Sequence, residues 1–108
     1  MSKTDELEME IYQQISGLDS KKQEIIYKDI GMIKRNMVGY GQLMAGKEDA
    51  GFSKRKTSDL EMEIYKTIQT LQPRSQNIIK DNLKKIKFNL TYFGRKSVTD
   101  QPGIVYVR

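Results

Sequence analysis

One segment of this chain has the residue spacing of a phosphate-binding loop. Gly41, Gly46 and Lys47 lie where such a loop has glycines whose backbone N–H groups hold phosphates and a lysine that reaches them. The next residue is Glu48, where a serine or threonine that holds magnesium belongs, and the preceding residues have a helical rather than a strand pattern. We therefore interpret the segment as a glycine-containing connector and not as a nucleotide site.

Carboxylates crowd two short segments, and carboxylates can hold metals or transfer protons. The acidic side chains in question are Asp5, Glu8, Glu10, Asp59, Glu61 and Glu63. Negative charge is favoured in the first turns of helices, which accounts for most of them. The chain has no His and no Cys, so the common metal ligands, the common general base and the thiolate nucleophile are missing. We expect no catalytic residue, no bound metal and no cofactor.

Size and charge restrict the protein class further. The 108 residues suffice for a single domain, and their formal net charge is +5. No apolar run approaches the 18 or more residues of a membrane helix, and the first residues are acidic. We expect a cytoplasmic protein that does not enter membranes.

A shift of 53 residues aligns Thr4–Gly41 with Thr57–Gly94, and 16 of the 38 aligned positions are identical. The strongest block is the hexapeptide Leu-Glu-Met-Glu-Ile-Tyr, at residues 7–12 and again at residues 60–65. This self-similarity predicts an internal duplication. We predict a single domain that consists of repeat 1 (4–41), a connector (42–56), repeat 2 (57–94) and a C-terminal tail (95–108).

Each repeat has two helical patterns, because its apolar residues recur every three or four positions. The first stripe is Leu7, Ile11, Ile15 and Leu18 in one repeat, and Leu60, Ile64, Ile68 and Leu71 in the other. The second stripe is Ile26, Ile30, Ile33, Met37 and Tyr40, and then Ile79, Leu83, Ile86, Leu90 and Phe93. Narrow stripes of this kind are typical of helical bundles.

Capping signals predict where these helices begin and end. Asp5-x-x-Glu8 and Ser58-x-x-Glu61 have the spacing of a capping box, so the first helix of each repeat should begin near residues 5 and 58. Gly41 and Gly94 should follow the second helix of each repeat, where a left-handed residue is expected.

The predicted fold is all-α, a duplicated helical hairpin. Short turns near Asp19 and Gln72 make the helices of each repeat antiparallel neighbours. Neither hairpin can bury its stripe alone, so the two should form a pseudo-twofold four-helix bundle with an extended C-terminal tail. The alternative is a hairpin that packs against a second chain, in a homodimer. Ile104–Val107 has the composition of a short strand.

Identity between the repeats exceeds what core packing needs, and it is highest in the first helix of each repeat. The side chains that we predict to bind a protein partner are Met9, Glu10, Tyr12, Met62, Glu63 and Tyr65. A methionine beside a tyrosine is adaptable contact material. The alternatives are that these side chains close the interface between the two hairpins, or that the duplication is recent and the two copies have diverged unevenly.

A second surface follows from an uneven distribution of charge. Residues 1–53 have a net charge of −2, with 7 basic and 9 acidic side chains, whereas residues 54–108 have +7, with 12 and 5. The predicted nucleic-acid residues are Lys80, Lys84, Lys85, Lys87, Phe88, Tyr92, Arg95 and Lys96. Basic side chains between exposed aromatic rings suit a phosphate backbone with bases stacked on the rings. The alternative is a solvated basic face.

Because catalytic chemistry is excluded, the sequence favours a small interaction module, a regulator or inhibitor that binds and occludes a protein partner. A short, cysteine-free chain rich in Lys and Ile is typical of accessory proteins from phages and plasmids. The alternative function is that of a nucleic-acid-binding accessory protein. A third interpretation is an assembly subunit that forms homo-oligomers.

Overall fold

A computed structural model of the chain describes residues 2–99, which form four α-helices. The helices are α1 (Lys3–Gln14), α2 (Ser20–Met44), α3 (Thr57–Thr67) and α4 (Pro73–Thr99). The predicted all-α class is confirmed, and there is no strand within the described range. The strand predicted at Ile104–Val107 lies outside the described residues. Between residues 2 and 99, no helix combines the length and apolar character of a membrane span.

The core is built from the predicted apolar stripes. The fully buried side chains are Ile11, Ile15, Ile26, Ile30, Ile33, Leu60, Ile64, Ile68, Ile79, Leu83 and Ile86. All of them are branched aliphatic residues at helical spacing, so one stripe of each helix is removed from water. Each such side chain stabilises the fold by about 1.5–3 kcal/mol relative to an exposed one.

The two long helices, α2 and α4, pack against each other, and each short helix packs on one of them. Helix α1 contacts α4, and helix α3 contacts α2, so each short helix lies on the long helix that does not directly follow it. The start of α1 lies near Asn89 of α4, and Glu10 near the end of α1 bonds to Asn82. This order makes α1 antiparallel to α4.

The two short helices begin within one to two residues of the predicted positions, but the predicted capping residues, Asp5 and Ser58, are wrong. Helix α1 begins at Lys3, and its capping box joins Ser2 and Asp5, with 3.1 Å between Asp5 N and Ser2 Oγ. Helix α3 begins at Thr57 after Lys56, which provides no side-chain cap. The sequence offers two capping boxes with the same spacing, Ser2 with Asp5 and Asp5 with Glu8, and spacing alone did not decide which of them begins α1.

The prediction that Gly41 and Gly94 end their helices is wrong. Both are buried inside helices, where α2 and α4 approach most closely. A Cβ on Gly41 would lie 2.0 Å from the carbonyl oxygen of Thr91, and one on Gly94 would lie 2.2 Å from that of Val38. Glycine is therefore needed here for backbone contact between helices and not for a left-handed conformation. The left-handed glycine is Gly46, with φ 98°, after the end of α2.

The long helices extend beyond the short ones, and their last turns lie outside the core. Tyr40 and Phe93 end the predicted stripes, yet they are 51% and 58% exposed. The short helices begin beside this level of α2 and α4, so no helix covers the far side of these two rings. Helix α2 continues to Met44 and α4 to Thr99, so the first residues assigned to the connector and the tail are helical.

Candidate functional site

The first glutamate of the repeated hexapeptide pairs with the long helix that follows it. Glu8 is nearly buried and forms an ion pair with Lys34 of α2. Glu61 forms the corresponding ion pair with Lys87 of α4, with 2.9 Å between the charged atoms. The identity of these residues between the repeats is therefore explained by contacts between helices.

The second glutamate of the hexapeptide binds the long helix α4 in one repeat and the connector in the other. Glu10 Oε1 accepts a hydrogen bond from Asn82 Nδ2 at 2.7 Å, and the same amide donates to the carbonyl of Leu7 at 3.1 Å. Glu63 Oε1 accepts from Arg55 Nη1 at 2.8 Å. Both glutamates of the predicted partner-binding set thus make contacts within the chain.

Asp29 occupies the position in α2 that Asn82 has in α4, and it is 2% exposed. Its Oδ1 lies 3.7 Å from Arg55 Nη1, whereas Oδ2 has no hydrogen-bond partner among residues 2–99. Burial and then the neighbouring Glu63 raise the pKa of Asp29 to about 7. The neighbouring Asp29 and then Arg55 hold the pKa of Glu63 below its usual range. Asp29 and Glu63 thus stand at the positions equivalent to Asn82 and Glu10 in the aligned repeats, with a carboxyl group in place of the amide of that pair.

The two tyrosines of the hexapeptide pack against the core. The Tyr12 hydroxyl donates to Glu8 Oε2 at 2.8 Å, and its ring meets the edge of Tyr27 with 4.6 Å between ring centres. Lys80 Nζ lies 5.1 Å from the ring centre of Tyr65, a cation–π contact. Burial raises the pKa of both hexapeptide phenols. The tyrosines are therefore half-buried parts of the helix interface.

The methionines are the hexapeptide residues that packing leaves in solvent. Met9 is 51% exposed and Met62 is 60% exposed. The leucine and isoleucine beside each of them belong to the core or pack against it, and the glutamates and the tyrosine make the contacts described above. Of the six predicted partner-binding residues, these two alone are exposed apolar side chains.

The predicted nucleic-acid residues divide into two groups. Lys87 is paired with Glu61, and Lys80 lies over Tyr65, so both lysines make contacts between helices. The other members of the set are exposed on α4, namely Lys84, Lys85, Phe88, Tyr92, Arg95 and Lys96. The surface available to a nucleic acid on α4 is therefore smaller by two lysines than the sequence alone suggested.

Several of these exposed residues line one shallow groove on α4, with a volume of about 360 Å³. Its lining is Lys84, Lys87, Phe88, Thr91, Tyr92 and Arg95. Phe88 is 65% exposed and Tyr92 57% exposed, so both rings are available for stacking. We call the exposed set, defined as Lys84, Lys85, Phe88, Tyr92 and Arg95, the basic–aromatic face.

Sequence reasoning missed the buried polar residues that lock the connector and the helices together. Asn36 is 5% exposed, and its amide binds the connector at Ser53 and Arg55. The signal was available, because Asn36 and Asn89 are identical between the repeats although neither belongs to the apolar stripe. Asp29 and Asn82 differ between the repeats and gave no such signal.

Comparison with protein-family models found no match to this chain, and neither did comparison with curated proteins or with solved structures. The function must therefore be inferred from the exposed surfaces, chiefly the two methionines and the basic–aromatic face.

Proposed function

We propose that the protein is a non-enzymatic helical interaction module, a regulator or inhibitor that binds and occludes a protein partner. The observation that carries this proposal is the exposure of Met9 and Met62 at equivalent positions of a hexapeptide whose other residues are engaged within the chain. Packing does not explain why both positions are methionine. Contact with a partner does explain it.

Methionine suits such a contact because its unbranched thioether side chain adapts to irregular apolar surfaces. Methionine is also enriched in protein–protein interfaces relative to the rest of the surface. The two methionines are separated from the core by the width of their own helices. A partner can therefore bind them without disturbing the fold.

The finer architecture that we propose is the duplicated hairpin in a pseudo-twofold four-helix bundle. Pairs of equivalent contacts support it, since Glu8–Lys34 matches Glu61–Lys87. The backbone contacts of Gly41 and Gly94 are also equivalent, because each glycine meets the long helix of the other repeat. In this arrangement the methionine surface, defined as Met9 and Met62, consists of two equivalent patches, one from each repeat. A partner with two matching sites gains affinity from the second contact.

Replacing both methionines by aspartate, Met9→Asp with Met62→Asp, is expected to weaken partner binding about ten-fold or more, because a charge then replaces an apolar contact. Unfolding should change little, since neither side chain is in the core. The measurement is quantitative capture of the partner from lysate of the source cells by immobilised protein.

Met44→Asp is the matched control, because Met44 is similarly exposed but lies outside the hexapeptide. It should capture the partner as the unaltered protein does. Equal capture by the unaltered protein and the double variant would contradict the proposed role of the methionines.

The basic–aromatic face favours a second candidate function, binding of single-stranded nucleic acid. Phe88 and Tyr92 are exposed in one groove, with Lys84 towards one end and Arg95 towards the other. Stacking of a base on an aromatic ring contributes about 1–3 kcal/mol, and the basic groups contact phosphates.

If this face binds nucleic acid, Lys84→Glu with Lys85→Glu should lower the affinity for labelled single-stranded DNA or RNA about ten-fold or more. The slope of log affinity against log salt should also decrease, by about 0.7 for each phosphate that the variant no longer neutralises. Fluorescence anisotropy at several salt concentrations measures both quantities. Lys87 is left unchanged, because its ion pair with Glu61 supports the fold.

The control variant changes the same charge elsewhere, with Lys21→Glu and Lys66→Glu on exposed positions of α2 and α3. An equal loss of affinity in both variants would indicate a response to net charge alone. An absence of binding at low salt would eliminate this second function.

A further inference from the structure

Two grooves lie at equivalent positions beside the long helices. The Asn36 groove, of about 300 Å³, lies between α2 and the start of α3. The Asn89 groove, of about 510 Å³, lies between α4 and the start of α1. Asn36 and Asn89 are identical when the repeats are aligned. The two grooves therefore allow a comparison within one molecule.

The connector of the chain itself lies along the Asn36 groove and forms one wall of it. Asn36 Oδ1 accepts a hydrogen bond from Ser53 N at 2.7 Å, and Asn36 Nδ2 donates to the carbonyl of Arg55 at 2.9 Å. Phe52 precedes this clamp and lies against Gly39 of α2. One asparagine amide thus holds a backbone N–H and a backbone carbonyl of an irregular segment that begins with an aromatic residue.

The Asn89 groove has the same asparagine, but no segment among residues 2–99 is hydrogen-bonded to its side chain. The Asn89 side chain is half-buried, and its amide makes no hydrogen bond to residues 2–99. The groove is lined on α4 by Leu90, Tyr92 and Phe93, and the two aromatic rings are more than half exposed. An amide without a hydrogen bond to any of the described residues therefore stands beside an apolar surface that is open to solvent.

We propose that the Asn89 groove binds an extended peptide segment of a protein partner. The Asn89 amide oxygen accepts a hydrogen bond from a backbone N–H of the peptide, as the Asn36 oxygen does from Ser53 N. An aromatic side chain of the peptide packs on Leu90 and Phe93. This inference rests on the proposed binding of a protein partner and adds the chemistry of the bound segment.

The two grooves differ in a way that sets the path of the peptide. Tyr92 of α4 aligns with Gly39 of α2. The carbonyl of Gly51 in the connector packs directly against the backbone of Gly39. A peptide in the Asn89 groove therefore passes beside the Tyr92 ring and not across the helix backbone. When the repeats are aligned, Ser2 of the chain takes the place of Arg55, the connector residue that binds Glu63. The bound peptide therefore needs no basic side chain to contact Glu10, the counterpart of Glu63.

The test is a titration of the isotope-labelled full chain with the acetylated and amidated peptide Ala-Gly-Phe-Ser-Lys, the sequence of residues 50–54. Nuclear magnetic resonance should show saturable shifts of the Asn89 side-chain amide and of the Tyr92 and Phe93 rings. Asn89→Ala should weaken binding about ten-fold or more without lowering thermal stability, because this amide has no hydrogen bond to lose. The exposed Asn77→Ala, on the same helix, should bind as the unaltered chain does.

Unchanged affinity in Asn89→Ala, or no saturable shift at millimolar peptide, would overturn the proposal. Magnetisation transfer between the Asn89 amide and residues 100–108 in the peptide-free chain would make the chain's own C-terminal segment the occupant. Shifts of this amide with protein concentration would make a second copy the occupant. Either result would also overturn the proposal.

Failure of the peptide proposal can be distinguished from failure of the proposed partner binding through Met9 and Met62, because the titration uses no partner protein. The Met9→Asp, Met62→Asp variant should bind the peptide with unchanged affinity. Loss of the methionine effect in the capture experiment would therefore leave the peptide result standing, and the reverse also holds.

Discussion

Replacing Gly41 or Gly94 by alanine is expected to lower the free energy of unfolding by about 2–3 kcal/mol, because the new Cβ overpacks the contact between α2 and α4. The methyl group would lie 2.0–2.2 Å from a backbone carbonyl oxygen of the facing helix. Backbone atoms cannot rotate away as a flexible side chain can, so the helices must separate. The helical preference for alanine, about 1 kcal/mol, opposes this effect but is smaller.

Gly31→Ala is the matched control in the same helix. A Cβ at Gly31 would meet no atom within 4 Å, so only the helical preference operates and stability should rise by about 0.5–1 kcal/mol. Urea unfolding followed by circular dichroism measures all three variants. If Gly41→Ala were as stable as Gly31→Ala, the backbone contact between the long helices would be refuted.

The second large effect concerns Asp29 and the dependence of stability on pH. The pKa of Asp29 in the folded chain is about 7, against 3.8 for an ordinary aspartate, so folding favours the protonated form. The folded state therefore binds a proton that the unfolded chain releases between about pH 4 and pH 7. The contribution of this proton is fully present below about pH 4 and is lost as the pH rises through 7.

Asp29→Asn should remove this pH dependence and raise the free energy of unfolding at pH 8 by about 1–3 kcal/mol, the cost of a buried polar group without a partner. The amide can donate to Glu63 as Asn82 donates to Glu10. The chain has no His, so no ordinary side chain titrates between pH 5 and pH 8 to obscure the result.

Urea unfolding at pH 5, 6.5 and 8 tests this expectation, with the exposed Asp81→Asn as the control for loss of a carboxylate. The control should retain the pH dependence of the unaltered chain. A flat pH profile of the unaltered chain would show that Asp29 is already ionised in the folded chain at pH 5. A less stable Asp29→Asn at pH 8 would contradict the cost that we assign to the buried carboxylate.

The candidate surfaces were predictable only in part. Met9 and Met62 lie opposite the apolar stripe, so they face solvent in an isolated hairpin, but the sequence left open that they close the interface between the two hairpins. Glu10 and Glu63 lie on the flank of the same helices. Whether a flank residue is free depends on the neighbouring helix, and here the neighbour offers Asn82 to one glutamate, and Asp29 with Arg55 to the other.

Helical periodicity alone determined the all-α class and most of the core, since apolar residues three and four positions apart share one face whatever the neighbour is. The tertiary structure decided which long helix each short helix covers, and hence that Tyr40 and Phe93 remain exposed. It also decided that Gly41 and Gly94 allow backbone contact and that Asn36 has partners while Asn89 has none among residues 2–99. Each of these properties depends on contacts with residues more than ten positions away in the sequence. A local sequence pattern contains no information about such contacts.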